Sequence, residues 1–424
     1  MPNHDPSLPP RCGAPPGGSS VESTAGRSSL IPAPLRRGRF CWSPVLMLVV
    51  VAVLTIAGCG SDSGSDSGAG ERPPAKAAEP VILSSDGTTF NPARIYKEAV
   101  PGVVSVRSIF NGRSAGPFGP QAAGGSGFVL NDGGEIVTNA HVISNGDGDD
   151  RVAASQVYVE FDDGNVLPAE VVGFDPFADV GLLQVDPAEA DLVPVGLADS
   201  DKVVVGQPIA VIGSPFGQNQ SLSTGVVSQT GRSVMSLTDF QIEGAIQTDA
   251  SINPGNSGGP MLDGNGDVIG ISQQMRSGSG SSDGVGFGVP VNSIKRSVEQ
   301  LRENGEVSYA YIGVSTQPLY PQLADKLGID AERGAIVAEV VDGSPAARAG
   351  LRGGDQQMRF QGRQFETGGD VIISADGEAI ERAEDLGRIV STLDPGKTVR
   401  LEVIRDGEDQ TVEVELDDRP TSIR

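Results

Sequence analysis

The chain has 424 residues, enough for two or three domains, and its 38% hydrophobic and 4% aromatic content is ordinary for a soluble globular protein. The formal net charge of −24 argues against nucleic acid as a partner and against binding to anionic lipid through charge. All three cysteines, Cys12, Cys41 and Cys59, lie in the first 59 residues, so the later domains cannot contain a disulfide. Because no Cys/His cluster could hold zinc, we expect no metal and no other cofactor.

The N-terminal segment has the pattern of an export signal. Residues 1–39 are rich in Pro, Gly and Ser and are predicted to be disordered, and arginines then precede an apolar run from Val45 to Ala57. The run ends in Ile56-Ala57-Gly58-Cys59, which resembles a bacterial lipobox and predicts lipidation of Cys59. An uncleaved membrane anchor over Phe40–Gly60 is the alternative. Residues 1–59 are thus predicted to be a disordered N-terminus with a signal peptide, cleaved before Cys59, or an uncleaved anchor. Residues 60–90 are predicted to form a flexible linker, and in both cases the remainder is expected on the extracytoplasmic face of a bacterial cytoplasmic membrane.

Short β-branched runs, separated by Gly, Asn and Asp turns, continue from Val100 to Val291 and predict an all-β pair of barrels. Examples are Gly102–Val106, Gly127–Leu130, Gln156–Val159 and Val203–Ile212. The segment Asp263–Asp267 superficially suggests a calcium loop. It is predicted to be a hairpin turn instead, because Val268 stands where such a loop needs glycine and Gln274 where it needs an acid.

A serine in this β-rich region has the surroundings of a nucleophile. Ser257 stands between Gly-Asn and Gly-Gly-Pro, on a turn with few side chains. There its Oγ would be exposed, and the amides of Gly255 and Ser257 could point together at a developing oxyanion. A glycine-rich turn whose serine only caps the backbone is the alternative interpretation.

A histidine and two acids precede this serine in the chain. The sequence contains two histidines, His4 in the N-terminal tail and His141 at the end of a β-branched run. Asp175 and Asp179 come just before an apolar strand. The order His, Asp, Ser is that of chymotrypsin and differs from the orders of subtilisin and the α/β-hydrolases.

The C-terminal part has mixed helix and strand signals, which predict an α+β domain. The segment Asn292–Asn304 is predicted to be a helix that Gly305 ends. Ser344 is predicted to cap a short helix that begins at Pro345, and a further helix is predicted near Ala383–Leu393.

Together these motifs resemble the HtrA/Deg family of trypsin-like serine proteases, from about residue 91 to the C-terminus. The runs that carry the resemblance are Thr138–Val142, Asp175–Leu183 and Gly255–Pro260. It implies a chymotrypsin-like protease domain of two six-stranded barrels over residues 91–305 and a PDZ-like α+β domain over residues 306–420. It also implies that His141 is the general base, Asp179 its orienting acid and Ser257 the nucleophile. Asp175 is the less favoured acid, because it precedes proline and is expected to open the turn.

The predicted C-terminal domain has a candidate peptide-binding loop. Tyr311-Ile312-Gly313-Val314 resembles the carboxylate-binding loop of PDZ domains, which implies that hydrophobic C-terminal peptides bind beside the next strand. A plain α+β domain is the alternative. The residues inserted over Gln356–Gly368 leave the shape of the groove open.

Two positions near Ser257 bear on specificity and activation. Ser251 stands where trypsin carries its pocket acid, so cleavage after small or medium aliphatic residues is expected. Asn256 replaces the aspartate that pairs with a new N-terminus in zymogens, so activation by propeptide cleavage is not expected. Regulation would then depend on mobile loops, for which Gly217–Phe240 and Gln273–Gly286 are the candidates.

The family resemblance implies an ATP-independent endopeptidase, assembled as a homotrimer, that acts on unfolded or mislocalised exported proteins. The sequence leaves two alternatives. One is a catalytically idle, chaperone-like peptide-binding protein, and the other is an esterase without proteolytic activity.

Overall fold

The computed structural model describes residues 82–83, 89–112, 121–214, 220–273 and 284–422. The predicted export segment and Cys59 lie outside these residues, as does most of the predicted linker. Among the helices that the described residues form, none has the length and apolar character needed to cross a bilayer.

A short ladder and a helix precede the first barrel. Strands β1 (Ile82–Leu83) and β2 (Thr89–Phe90) pair antiparallel, and helix α1 (Pro92–Ala99) follows. The side chain of Asn91 caps this helix by accepting a hydrogen bond from the amide of Arg94, and proline occupies the first helical position.

The first barrel is built from residues 103–184. Its elements are β3 Val103–Phe110, β4 Gln121–Val129, β5 Glu135–Thr138, α2 Ala140–Ile143, β6 Ser144–Asn145, β7 Val152–Ala153, β8 Gln156–Glu160, β9 Val166–Asp175 and β10 Val180–Gln184. Six of the strands close in the order β10-β5-β4-β3-β8-β9. Alternation along β3 buries Val104 and Val106 inside the barrel and leaves Arg107 outside, as the two-residue period of a strand requires.

The second barrel is built from residues 208–290. Its strands are β11 Pro208–Gly213, β12 Ser221–Met235, β13 Gln241–Thr248, β14 Pro260–Leu262, β15 Val268–Gln273 and β16 Gly286–Pro290. They close in the order β11-β12-β13-β16-β15-β14. The predicted pair of six-stranded barrels is therefore confirmed, and Asp263–Asp267 forms the predicted turn between β14 and β15.

Two sequence predictions in this barrel are wrong in extent. Most of the loop predicted over Gly217–Phe240 is strand β12, because Val227 and Val234 are buried and the backbone pairs with β11 and β13. The strand predicted from Val203 begins only at Pro208, because Gly206 adopts a φ of +87° and turns the chain there.

Helix α3 (Val291–Asn304) connects the barrels to the C-terminal domain, and it confirms the predicted helix to within one residue. Ile294, Val298 and Leu301 on one face belong to a core cluster that also contains side chains from both barrels. The helix ends at Gly305, which has a φ of +75° and donates its amide to the carbonyl of Leu301. This packing fixes the helix against the body of the protease domain.

The C-terminal domain is α+β, as predicted. Its elements are β17 Ala310–Tyr311, β18 Val314–Leu319, α4 Pro321–Leu327, β19 Gly334–Val340, α5 Pro345–Arg348, β20 Gln356–Phe360, β21 Arg363–Thr367, β22 Val371–Ala375, β23 Glu378–Ala379, α6 Ala383–Ser391, β24 Thr398–Arg405, β25 Glu408–Glu415 and β26 Asp417–Asp418. The main sheet has the order β18-β19-β22-β24-β25, and β17 pairs with β26. The inserted residues form the hairpin β20–β21, which buries Phe365. Ser344 caps α5 by accepting from the amide of Ala347, as predicted.

Candidate active site

The three residues of the predicted triad come from different places in the two barrels. His141 lies on the short helix α2 that follows β5, and Asp179 lies in the turn between β9 and β10. Both belong to the first barrel, whereas Ser257 lies in the turn before β14 of the second barrel. The candidate site is therefore at the junction of the barrels.

A backbone contact joins the serine turn to the first barrel. The amide of Ser126 donates to the carbonyl oxygen of Ser257 at 2.7 Å. Gly258 has a φ of +86°, and a Cβ at this position would lie 2.1 Å from the carbonyl oxygen of Ser126 and 2.5 Å from Oγ1 of Thr138. Only glycine fits here, and its fit brings Ser257 against the strand that leads to His141.

His141 and Asp179 form a two-point contact. Nδ1 of His141 lies 2.8 Å from Oδ2 of Asp179, and the backbone amide of His141 donates to Oδ1 at 3.0 Å. The carboxylate is wholly buried, whereas the imidazole side chain is 34% exposed and open to a substrate. With Nδ1 engaged in this way, Nε2 is the nitrogen left to act on a proton.

Two residues that the sequence analysis did not single out hold Asp179. Nε2 of Gln273 donates to Oδ2 of Asp179 at 3.1 Å, and Nδ2 of Asn139 donates to its backbone carbonyl at 2.8 Å. Asp179 has a φ of +56°, which is costly for a residue with a Cβ and persists only where neighbours enforce it. Gln273 lies far along the chain at the end of β15, so no local pattern pointed to it.

The electrostatic surroundings raise the pKa of His141 above its ordinary value of 6.5. Burial by itself lowers this pKa, but the negative charge of Asp179 and the hydrogen bond to it outweigh that loss. The guanidinium of Arg151 opposes Asp179 and lowers the pKa. Arg151 is anchored nearby, since its Nη1 donates to Oγ of Ser144 at 3.0 Å.

Asp175 does not contact the imidazole in this arrangement. Its Oδ1 accepts from the amides of Phe177 and Ala178, at 2.8 and 3.0 Å. The expectation that Asp175 opens the turn is confirmed, and Asp179 is the acid that reaches His141.

The turn around Ser257 leaves two amides for a ligand. The amides of Asn256, Gly258 and Gly259 donate to backbone carbonyls, whereas those of Gly255 and Ser257 donate to no group among the described residues. Ser257 is 3% exposed. Within the described part of the chain, its Oγ has no hydrogen-bond partner. The structure therefore has a direct contact between His141 and Asp179 but no hydrogen bond between Ser257 and His141.

The remaining predicted site residues lie in two places. Ser251 is exposed, on the segment that precedes Ser257, and its amide donates to Oγ of Ser223 at 2.9 Å. The loop Tyr311–Val314 joins β17 to β18, and Gly313 has a φ of +81°. The carbonyl of Gly313 accepts from the amide of Val341, so the loop is held against the C-terminal domain.

Comparison with known proteins defines the class of protein. Residues 125–271 match the family model for a trypsin-like peptidase domain, and residues 310–416 match that for a PDZ domain. A relative from Halomonas elongata, described as a probable periplasmic serine endoprotease DegP-like, is 38% identical over 299 residues, 70% of this chain and 57% of its own length. The chain therefore spans a little over half the length of the curated relatives it matches. Its fold and site define a trypsin-like serine peptidase domain followed by a PDZ domain.

Solved structures make the assignment more specific. The HtrA-type protease AlgW with a tripeptide has a TM-score of 0.64 and 31% identity, and the match covers 78% of this chain and 98% of that one. The same protease with a decapeptide has a TM-score of 0.61 and 30% identity, over 78% and 99% of the two chains. The chain belongs to the HtrA-type family of serine proteases, and the resemblance inferred from its motifs is confirmed.

The first prediction concerns the titration of His141, followed by NMR of the imidazole. We expect an apparent pKa above 6.5, because Asp179 stabilises the protonated ring. Asp179→Asn removes that charge and lowers the value, whereas Arg151→Gln removes an opposing charge and raises it. In the chain that follows Cys59, His141 is the only histidine in the sequence, so its ring signals are assigned without ambiguity. An unchanged titration in Asp179→Asn would contradict the assignment of this contact.

The second prediction compares two glycines that both have positive φ. Gly266 has a φ of +95° with no atom near its missing Cβ, so Gly266→Ala should lower the free energy of unfolding by about 1 kcal/mol through backbone strain alone. Gly258→Ala adds a collision with Ser126 and should cost about 2–4 kcal/mol. Chemical denaturation measures both. Equal losses in the two variants would rule out close contact of the barrels at Gly258.

Proposed function

We propose that the protein is an ATP-independent serine endopeptidase that uses His141, Asp179 and Ser257. The observation that carries this proposal is the contact between Nδ1 of His141 and Oδ2 of Asp179 at 2.8 Å, at the barrel junction where Ser257 lies. The curated relatives are described as serine endoproteases, which supports the same class of reaction.

In the proposed mechanism, Nε2 of His141 takes the proton of Ser257 as its Oγ attacks the substrate carbonyl. The imidazolium that forms is stabilised by the carboxylate of Asp179, and it then gives the proton to the leaving amine. The amides of Gly255 and Ser257 would hold the oxyanion, at about 3–4 kcal/mol for each donor. Because the reaction needs a neutral imidazole, kcat/KM should rise with pH through the raised pKa of His141.

The proposed substrates are unfolded or mislocalised exported proteins. Ser251 places no charge in the specificity pocket, which favours cleavage after small or medium aliphatic side chains. The loop Tyr311–Val314 would bind the carboxylate of a hydrophobic C-terminus, and the peptide would add to β18 beside α6. The proposed boundaries, residues 91–305 for the protease domain and 306–420 for the PDZ-like domain, meet at the end of α3. A homotrimer is the proposed assembly.

The proposed location is the extracytoplasmic face of the cytoplasmic membrane. The relatives are described as periplasmic, which agrees with a cell-envelope protein. The apolar run that ends at Cys59 is the basis for the proposal of a lipid anchor.

The third prediction concerns Ser257. A fluorophosphonate probe should label the purified ectodomain on the peptide that contains Ser257, and Ser257→Ala should abolish both labelling and casein hydrolysis. Ser155→Ala, a matched change at an exposed serine of the first barrel, should keep both. Casein hydrolysis that survives Ser257→Ala would contradict the assignment. Hydrolysis of esters but not casein by the parent protein would identify an esterase instead.

The fourth prediction concerns the anchor. Metabolic labelling with a fatty acid should mark the full chain in bacterial cells, and Cys59→Ala should remove the label because the thiol is the attachment site. Cys41→Ala, a change within the same N-terminal segment, should keep it. Absence of label from the parent protein would favour the uncleaved anchor.

A further inference from the structure

Asp175 is a buried acid that the proposed mechanism does not use. Its side chain is wholly buried, and its Oδ2 accepts from Oγ of Ser297 and from the hydroxyl of Tyr309, both at 2.6 Å. Together with the amides of Phe177 and Ala178 at Oδ1, four donors converge on this one carboxylate. The hydroxyls of Ser297 and Tyr309 can donate to the carboxylate or accept from its protonated form, so both keep their contact with Asp175 in either state.

Positive charge lies close to this buried carboxyl. Burial raises the pKa of Asp175 above its ordinary value, and its four hydrogen bonds offset that rise only in part. The guanidinium carbon of Arg419 lies 5.3 Å from the centre of the Tyr309 ring, and that of Arg296 lies 5.1 Å from it. The two cations place positive charge just behind the tyrosine that donates to Asp175.

The groups that bind Asp175 come from both domains. Ser297 lies on α3 of the protease domain, whereas Tyr309 immediately precedes β17 of the C-terminal domain. Arg419 follows β26, near the end of the described chain, and packs over the rings of Phe177 and Phe240 as well as Tyr309. The C-terminal domain therefore contacts the turn that carries Asp179.

Asp175 controls the backbone of this turn directly. The two amides that its Oδ1 binds belong to Phe177 and Ala178, the residues just before Asp179. Asp179 itself has a φ of +56°, which must be enforced by its neighbours. The ring of Phe177 is fixed in turn by the ring of Tyr309, whose centre lies 5.2 Å away.

We propose that Asp175 is a positioning residue for the peptidase reaction, and that the hydroxyl of Tyr309 makes the C-terminal domain part of the support of the active site. This inference rests on the proposed function. Tyr309 and Ser297 hold the carboxylate of Asp175, Asp175 holds the turn, and the turn presents Asp179 to His141. Asp179 stabilises the imidazolium that forms during reaction, so a displaced turn raises the barrier to the chemical step more than it weakens substrate binding.

The fifth prediction tests this chain of contacts with two hydroxyl deletions. Tyr309→Phe and Ser297→Ala each remove one donor to Oδ2 of Asp175 while leaving the rest of the side chain in place. Each should lower kcat about tenfold with KM little changed, because a small displacement of a catalytic group is enough for such a loss. Each should also lower the NMR pKa of His141, because Asp179 is held less firmly against the ring.

The matched control is Tyr320→Phe, which removes a hydroxyl that donates to Gln361 at the surface of the same C-terminal domain. It should leave kcat, KM and the titration of His141 unchanged. Ser297 lies on α3 of the protease domain, so Ser297→Ala still tests the role of Asp175 if Tyr309→Phe fails to fold.

The outcomes separate this inference from the proposed function. A parent protein without hydrolytic activity would overturn the function, while the titration of His141 in the variants would still test the positioning. An active parent whose two variants keep its kcat would overturn the inference alone. The variants could also lose kcat only because their unfolding midpoint falls, while the titration of His141 stays unchanged. That result would show that Asp175 has a structural role only, and it too would overturn the inference.

Discussion

The geometry of the site depends on one buried carboxylate held in a costly backbone conformation. Asp179 has a positive φ without being glycine, and it keeps that conformation because His141, Gln273 and Asn139 all donate to it. These donors come from the first barrel and from strand β15 of the second barrel. The contact between the two barrels is therefore also what orients the imidazole, so barrel packing and the arrangement of the proposed triad have the same source.

The two domains are less separate in the structure than their boundary in the sequence suggests. Helix α3 packs into the core shared by both barrels, and its Ser297 meets Tyr309 at the carboxylate of Asp175. Aromatic rings from the protease domain and the C-terminal domain then surround Arg419. A partly buried cation that contacts three rings and lies near the buried carboxyl of Asp175 is a specific arrangement, and it ties the relative placement of the domains to the turn beside His141.

Much of this architecture could be predicted from local patterns. Some signals act within a few residues, namely the β-branched runs, the cap at Ser344 and the glycine after α3. The barrels and the helix ends could therefore be predicted from the sequence. The choice of Asp179 over Asp175 was accessible too, because proline after Asp175 favours a turn. By contrast, Gln273, Tyr309 and Arg419 act on residues far away in the chain, and nothing near them in sequence indicates such contacts. Strand β12 was hidden by its Ser and Gly content, since only its pairing with β11 and β13 makes it a strand.

The contact of Arg419 with the rings of Phe177 and Tyr309 has a consequence for the order of events during biogenesis. A chain that folds from its N-terminus during synthesis can complete the first barrel long before residue 419 is available. Until then the carboxyl of Asp175 lacks both its contact with Tyr309 and the cation behind that ring. The turn that holds Asp179 therefore gains its full support only after the C-terminal domain has folded.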